Sequence, residues 1–150
     1  MKVDGSKSID AKVDLVWESL INPEVLKQSI PGCKSLDKVD EDTYTFEIEL
    51  KVAAIVGKYS GEIKVVDPQP PHQYGLKIEG SGALGHMQAM VRIELREQAD
   101  GGTEMFYDGE AEVGGKVAKV GQRVLSSVAK LVTNQFFGSF AKQIKLHTSS

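Results

Sequence analysis

From Thr43 to Val113 the hydrophobic residues recur every second position, and from Lys116 onward they recur every 3.6. Tyr44, Phe46, Ile48, Leu50 and Val52 alternate with Thr45, Glu47, Glu49 and Lys51, the pattern of a strand with one buried and one wet face. The alternation returns in Tyr59, Gly61, Ile63 and Val65, then Tyr74, Leu76 and Ile78, then Met87, Ala89, Val91, Ile93 and Leu95, and finally Met105, Tyr107, Gly109, Ala111 and Val113. Turn material separates the runs: Val56-Gly57, DPQPP at 67–71, Gly80 to Gly85, and ADGG at 99–102. Every connection is short and no repeat or linker intervenes, so the runs belong to one meandering antiparallel sheet.

Upstream of the sheet, residues 2–9 read as a short first strand. Asp10 is positioned to cap a helix in which Val13, Val16, Trp17, Leu20 and Ile21 form one apolar stripe. Asn22-Pro23-Glu24 restarts a helix, since Asn accepts orphan N–H groups, Pro tolerates the first position and Glu favours the positive dipole end. Pro31 pushes Ile30 out of the helical region, and Gly32 permits the turn. Downstream, Gly114-Gly115 ends the last strand. A helix is predicted from Lys116 to about Lys145, about 45 Å long at 1.5 Å per residue. Val117, Val120, Val124, Val128, Leu131 and Gln135 form one line of it, with Ala118, Leu125, Ala129, Val132 and Phe136 beside them; Lys119, Arg123, Lys130 and Asn134 take the wet side.

The element order is β-α-α-β-β-β-β-β-β-α, an α+β fold in two layers: a curved antiparallel sheet of six to seven strands, two short helices after the first strand, and one long C-terminal helix across the sheet. A curved sheet cannot touch a straight helix along its whole length. The expected result is a space lined by inward-facing apolar residues, and such spaces are ligand sites by default. The candidates are Leu26 and Ile30 from the short helical segment, and Phe46, Ile48, Leu50, Tyr59 and Ile63 from the first long strands. The later strands add Tyr74, Leu76, Ile78, Met87, Val91 and Tyr107, and the C-terminal helix adds Val117, Val120, Gly121, Val124, Val128 and Leu131.

The 150 residues fit a single domain spanning 1–150. Eighteen basic and twenty-one acidic residues give a net charge of -3, with no run of five or six like charges, which argues against nucleic-acid binding. No apolar stretch is long enough to span a membrane and the N-terminus lacks a signal-peptide core, so a soluble, cytoplasmic protein is expected. One cysteine and three scattered histidines make no metal-ligand spacing; neither metal nor cofactor is implied.

Few residues suggest chemistry. A reactive Cys33 would need a neighbouring His or cation to lower its pKa, and on a strand Lys34 points to the other face, so Cys33 is expected to be a small packing residue. Tyr44, Tyr59, Tyr74 and Tyr107 fall on the apolar side of their strands; core packing explains them singly, while together they offer polar groups to orient a ligand carbonyl. His72 after Pro-Pro and His86 in a Gly-rich turn are expected to be exposed, and His147 lies near the end of the sequence. Gly57 and Gly61 suit a bend in the sheet, and Gly121 inside the long helix leaves room for ligand or a strand. Phe136, Phe137 and Phe140 exceed one buried stripe, so one of them is expected at the surface.

VWESLINPEVLKQSIPGCKSL at 16–36, VGKYSGEIKV at 56–65, DPQPP, and VGGKVAKVGQRVLSSVAKLVTNQFF at 113–137 resemble the CoxG family, associated with carbon monoxide dehydrogenase and part of the START/Bet v 1-like (SRPBCC) helix-grip superfamily. The resemblance implies a non-catalytic binding or carrier protein that holds a hydrophobic ligand, such as a lipoquinone or lipid, as accessory to a CO dehydrogenase-type molybdenum hydroxylase. Many such proteins carry a further C-terminal tail considered to contact the membrane. The sequence given ends at KLHTSS, so at most weak peripheral contact at the inner membrane face is expected. The alternative is a cyclase- or dehydrase-like enzyme of the same superfamily, using cavity Tyr or His residues as acid and base.

Overall fold

The computed structural model describes residues 1–52 and 55–148. The six alternating or mixed segments after the helices, together with the first strand, form one seven-stranded antiparallel sheet. Its strands are β1 (Lys2–Ile9), β2 (Cys33–Lys38), β3 (Thr43–Leu50), β4 (Gly57–Gln69), β5 (Gln73–Gly82), β6 (Gly85–Glu97) and β7 (Thr103–Gly114). The spatial order is β1-β7-β6-β5-β4-β3-β2: the meander runs in sequence from β2 to β7, and β1 closes on β7 with Lys2 opposite Glu110 and Ile9 opposite Thr103.

Helix α1 (Val13–Ile21) buries Val13, Val16, Trp17 and Leu20, the expected stripe. Its N-cap is Lys12 with no side-chain cap, so Asp10 does not cap it. The corner between β1 and α1 is held instead by the Ala11 N–H donating to the Ile9 carbonyl at 2.9 Å and by the Thr103 hydroxyl donating to the Ala11 carbonyl at 2.8 Å. Helix α2 (Pro23–Ser29) begins as its sequence dictates: the Glu24 N–H donates to Asn22 Oδ1 at 2.9 Å. It ends at Ile30, extended at ψ 123° ahead of Pro31. Gly32 then takes φ +69°, and a Cβ there would run into the Glu49 carbonyl. The DPQPP stretch is only partly a turn, because β4 continues through Gln69 across a bulge that starts at Val66.

The long helix differs from expectation at its start. Lys116–Val120 is a 3₁₀ segment, tied to the β5–β6 turn by the Val117 N–H donating to the Leu84 carbonyl at 2.8 Å. Gly121 at φ +93° breaks the chain direction, and α3 runs from Gln122 to Thr148, 27 residues or about 40 Å. Gly121 is therefore a hinge before the helix and not a gap within it; a Cβ there would meet nothing within 4 Å. Among the described residues no helix is long and apolar enough to cross a membrane.

Two clusters form the core. The larger joins Ile9, Val16, Trp17, Val25, Tyr74, Ile93, Leu95, Met105, Phe137, Phe140 and Ile144, and the smaller joins Leu36, Tyr44 and Phe46. Phe137 and Phe140 are buried and Phe136 is half-buried, its ring 5.4 Å from Phe137 and 5.5 Å from Phe140. None of the three is the surface residue expected from the sequence, because α1 and β1 flank the end of α3 and accept more than one stripe.

Candidate functional site

Residues directly opposite each other in an antiparallel ladder share a face, so the register assembles the inner surface. One row reads Phe46, Gly61, Gly80, Met87, Val113; the next reads Tyr44, Ile63, Ile78, Ala89, Ala111. A third reads Val65, Leu76, Val91, Gly109. Gly61 is required here, since a Cβ would collide with the backbone of Glu79 and Gly80 as the sheet bends.

Burial along these rows is graded. On β6 it falls from Leu95 (1% exposed) and Ile93 (5%) to half-buried Val91, Ala89 and Met87; on β5 it falls from sealed Tyr74 to half-buried Leu76 and Ile78. On β3 it falls from Tyr44 and Phe46 to Ile48 and Leu50. In every case it falls toward the end of the sheet that holds the β5–β6 turn and the 3₁₀ segment. At that end the inner face stays apolar yet unsealed. Among the described residues the backbone of α3 runs close to α2, α1, β1 and the 3₁₀ segment, with no comparable approach to β3–β6. The less buried half of the inner sheet is thus left without a close approach from the backbone of α3.

The sequence candidates divide accordingly. Ile48, Leu50, Tyr59, Ile63, Leu76, Ile78, Met87 and Val91 lie half-buried on the inner rows. Leu26 and Ile30 pack against the Leu36–Tyr44–Phe46 cluster, Val117 is buried, and Val120 and Val128 are half-buried. Val124 and Leu131, expected to face the sheet, are 40% and 44% exposed. At about 100° per residue Leu131 lies half a turn from sealed Phe140, and Val124 nearly so, which puts both on the outer side of α3. Leu125, Val132 and Phe136 are half-buried in their place. The break at Gly121 resets the helical phase, and the unbroken period read across it missed the change.

The four tyrosines separate by what their hydroxyls do. Tyr44 donates to the Ile21 carbonyl at 2.8 Å and Tyr59 to the Ile55 carbonyl at 2.9 Å, so both are committed to the fold. Tyr107 lies across β1, its hydroxyl against Gly5, and its ring is tilted against Phe137 with centroids 5.3 Å apart. Tyr74 is 4% exposed, its ring edge-on to Trp17 at 5.1 Å, and its hydroxyl bonds to none of the described residues. No sealed side-chain nitrogen or oxygen among them lacks a partner, so the Tyr74 oxygen keeps a trace of accessibility. Burial, and then the neighbouring Tyr44, push its pKa far above the ordinary phenol value, which keeps Tyr74 a neutral donor.

Cys33 is half-buried against the smaller cluster, its thiol donating to the Ser35 carbonyl at 3.3 Å. Burial raises its pKa against the opposing pull of Lys27 and that hydrogen bond, the reverse of what a nucleophile needs. His86 is exposed in the outer row with Ser81, and His72 lies exposed 3.8 Å from Glu97. The side chain of His147 lies outside the described residues. Among those residues no three His, Cys, Asp or Glu side chains gather as a metal site. A depression of about 360 Å³ on the outer face, lined by Ser60, Glu62, Glu79, Ser81 and His86 among others, is polar and unsuited to an apolar ligand.

Comparison with known proteins gives a consistent result. The family model for CoxG of carbon monoxide dehydrogenase matches residues 5–145. A conserved protein from Geobacillus kaustophilus is similar at 40% identity and a TM-score of 0.93, over 97% of this chain and 95% of that one. A START superfamily protein from Mycobacterium smegmatis shares the fold at 12% identity and a TM-score of 0.79, over 97% of each chain. No curated protein matches the chain.

Proposed function

Since the chain belongs to the CoxG family of carbon monoxide dehydrogenase, we propose that it is a non-catalytic carrier that holds a hydrophobic ligand between α3 and the inner face of the sheet. Its main support is an apolar inner surface that loses burial toward one end, with one buried hydroxyl, that of Tyr74, bonded to none of the described residues. Aliphatic side chains such as Ile63, Ile78 and Val91 offer contact without direction, while one neutral donor fixes orientation, the usual division of labour in ligand pockets. A lipoquinone fits both: its tail suits the aliphatic floor, and a ring carbonyl suits the phenol. The family description, which names carbon monoxide dehydrogenase, supports an enzyme of that kind, a molybdenum hydroxylase on our reading, as the partner. The acid–base alternative has less support, because His72 and His86 are exposed and two of the four tyrosines are already committed to backbone carbonyls.

Mass spectrometry of organic extracts from natively purified protein tests the carrier role. A co-purifying quinone or lipid is expected; an interior that yields no apolar molecule and takes up none on incubation would overturn it.

A further inference from the structure

We infer that the free edge of β1 pairs with β1 of a second copy of this chain, joining two sheets into one about a two-fold axis. The two edges of the sheet are finished differently. β2 has six residues, a register shift between Cys33 and Ser35, and α2 packed beside it, all features that blunt an edge. β1 has eight residues in unbroken register with β7, no proline, and Gly5 exposed in its middle, so its backbone is open to solvent.

The ladder fixes which groups face outward. Met1 and Ala111 exchange both hydrogen bonds, each at 2.8 Å, and in an antiparallel pair such bonded positions alternate along the strands. Val3, Gly5, Lys7 and Ile9 therefore bond to β7. Lys2, Asp4, Ser6 and Ser8 turn their backbone N–H and C=O groups the other way, where they bond to none of the described residues. An antiparallel copy engages all four in a single register, with Lys2 opposite Ser8, Asp4 opposite Ser6, and Gly5 on the axis opposite itself. No like charges stand opposed there. A shift toward the N-terminus sets Asp4 against Asp4, and a shift the other way leaves Lys2 without a strand partner.

Two further features fit that register. Tyr107 reaches along the inner face to Gly5 with a hydroxyl that bonds to none of the described residues, so at the axis the two phenols become each other's hydrogen-bond partners. Beside the far end of β1 lies a groove of about 400 Å³, bounded by Lys7, Asn134, Gly138 and Ala141 among others, and a Cβ on Gly138 would meet nothing within 4 Å. It receives Val3 of the second copy, which points inward opposite Lys7. An unrelated extended peptide would satisfy the backbone equally but has no reason to complement Lys2, Asp4 and the Tyr107 hydroxyl; β1 complements all three. Nothing in this depends on what the inner face of the sheet holds.

Sedimentation of the whole chain over a concentration series reads the association. A monomer–dimer equilibrium is expected, and Ser6→Pro, which removes one outward N–H and leaves the bonds to β7 intact, weakens it at least tenfold while circular dichroism and the thermal midpoint stay those of the parent chain. In a Cys33→Ala background, Val3→Cys and Lys7→Cys chains stand opposite each other in this register. Oxidation links them when they are mixed and gives less than a tenth as much dimer when either is alone. The crosslink contains no proline, so it decides the matter if Ser6→Pro does not fold. A chain that sediments as a monomer up to millimolar concentration overturns the proposal. So does a dimer that a folded Ser6→Pro leaves intact, a crosslink that forms as readily in either chain alone, or an edge that takes up only the peptide of another protein.

Discussion

The two ends of the sheet are built from similar residues and treated in opposite ways. Under α1 and the second half of α3, Val16, Leu95, Met105, Phe140 and Ile144 are 0–2% exposed. Toward the β5–β6 turn, Ile48, Ile78, Met87 and Val91 point inward from the same sheet and stay half-exposed. Apolar residues left unsealed inside a fold forgo about 25 cal/mol per Å² of stabilisation. One end therefore holds the protein together, and the other leaves apolar surface of the same sheet unsealed.

The largest test of that contrast is at the sealed end. Phe140→Ala should destabilise by about 3–5 kcal/mol in chemical denaturation, whereas Val128→Ala, on the half-buried stretch of α3, should cost less than about 1 kcal/mol; similar losses would mean the ends are packed alike. Ile78→Trp comes next. It should lower affinity for a quinone or fluorescent fatty acid at least tenfold, about 1.4 kcal/mol, without the roughly 1–3 kcal/mol penalty of overfilling a solid core. Val124→Trp, on the outer side of α3, should leave affinity unchanged, and a titration beside a thermal melt separates the two. Of smaller size is the exchange between phenols. Tyr74→Phe should lose about threefold to tenfold in affinity for a quinone, a hydrogen bond of about 0.5–1.5 kcal/mol, with stability unchanged. Tyr44→Phe should do the reverse, since the Ile21 carbonyl loses its donor. The smallest effect concerns Cys33, whose replacement by Ala or Ser should keep ligand affinity within threefold, under about 0.7 kcal/mol.

The architecture could be read from the sequence because strand and helix periods report backbone geometry directly, and both are long here. Asn22 caps with its own side chain, Pro31 and Gly32 act through their own backbones, and each does what its chemistry dictates. The inner rows of the sheet followed for the same reason. What failed was phase on the long helix. A glycine inside a helix costs only about 1 kcal/mol, so the apolar period can be read straight through Gly121, and doing so turned Val124 and Leu131 the wrong way. The tyrosines could not be told apart, because the partners that separate them are the distant carbonyl of Ile21 and a loop carbonyl at Ile55, neither marked by residue type.

The pairing of β1 with β7 also governs when this protein can exist. Lys2 and Glu110 are neighbours in the ladder, so the strand made first by the ribosome waits for the strand made last. The meander from β2 to β6 joins adjacent hairpins and can zip locally, but the β1 edge must search across about a hundred residues of chain, and such distant contacts slow folding. Until then the β7 edge and the apolar underside of α1 are uncovered, the kind of surface on which nascent chains aggregate. Birth of the chain, more than its mature stability, is the stage at which this topology is vulnerable.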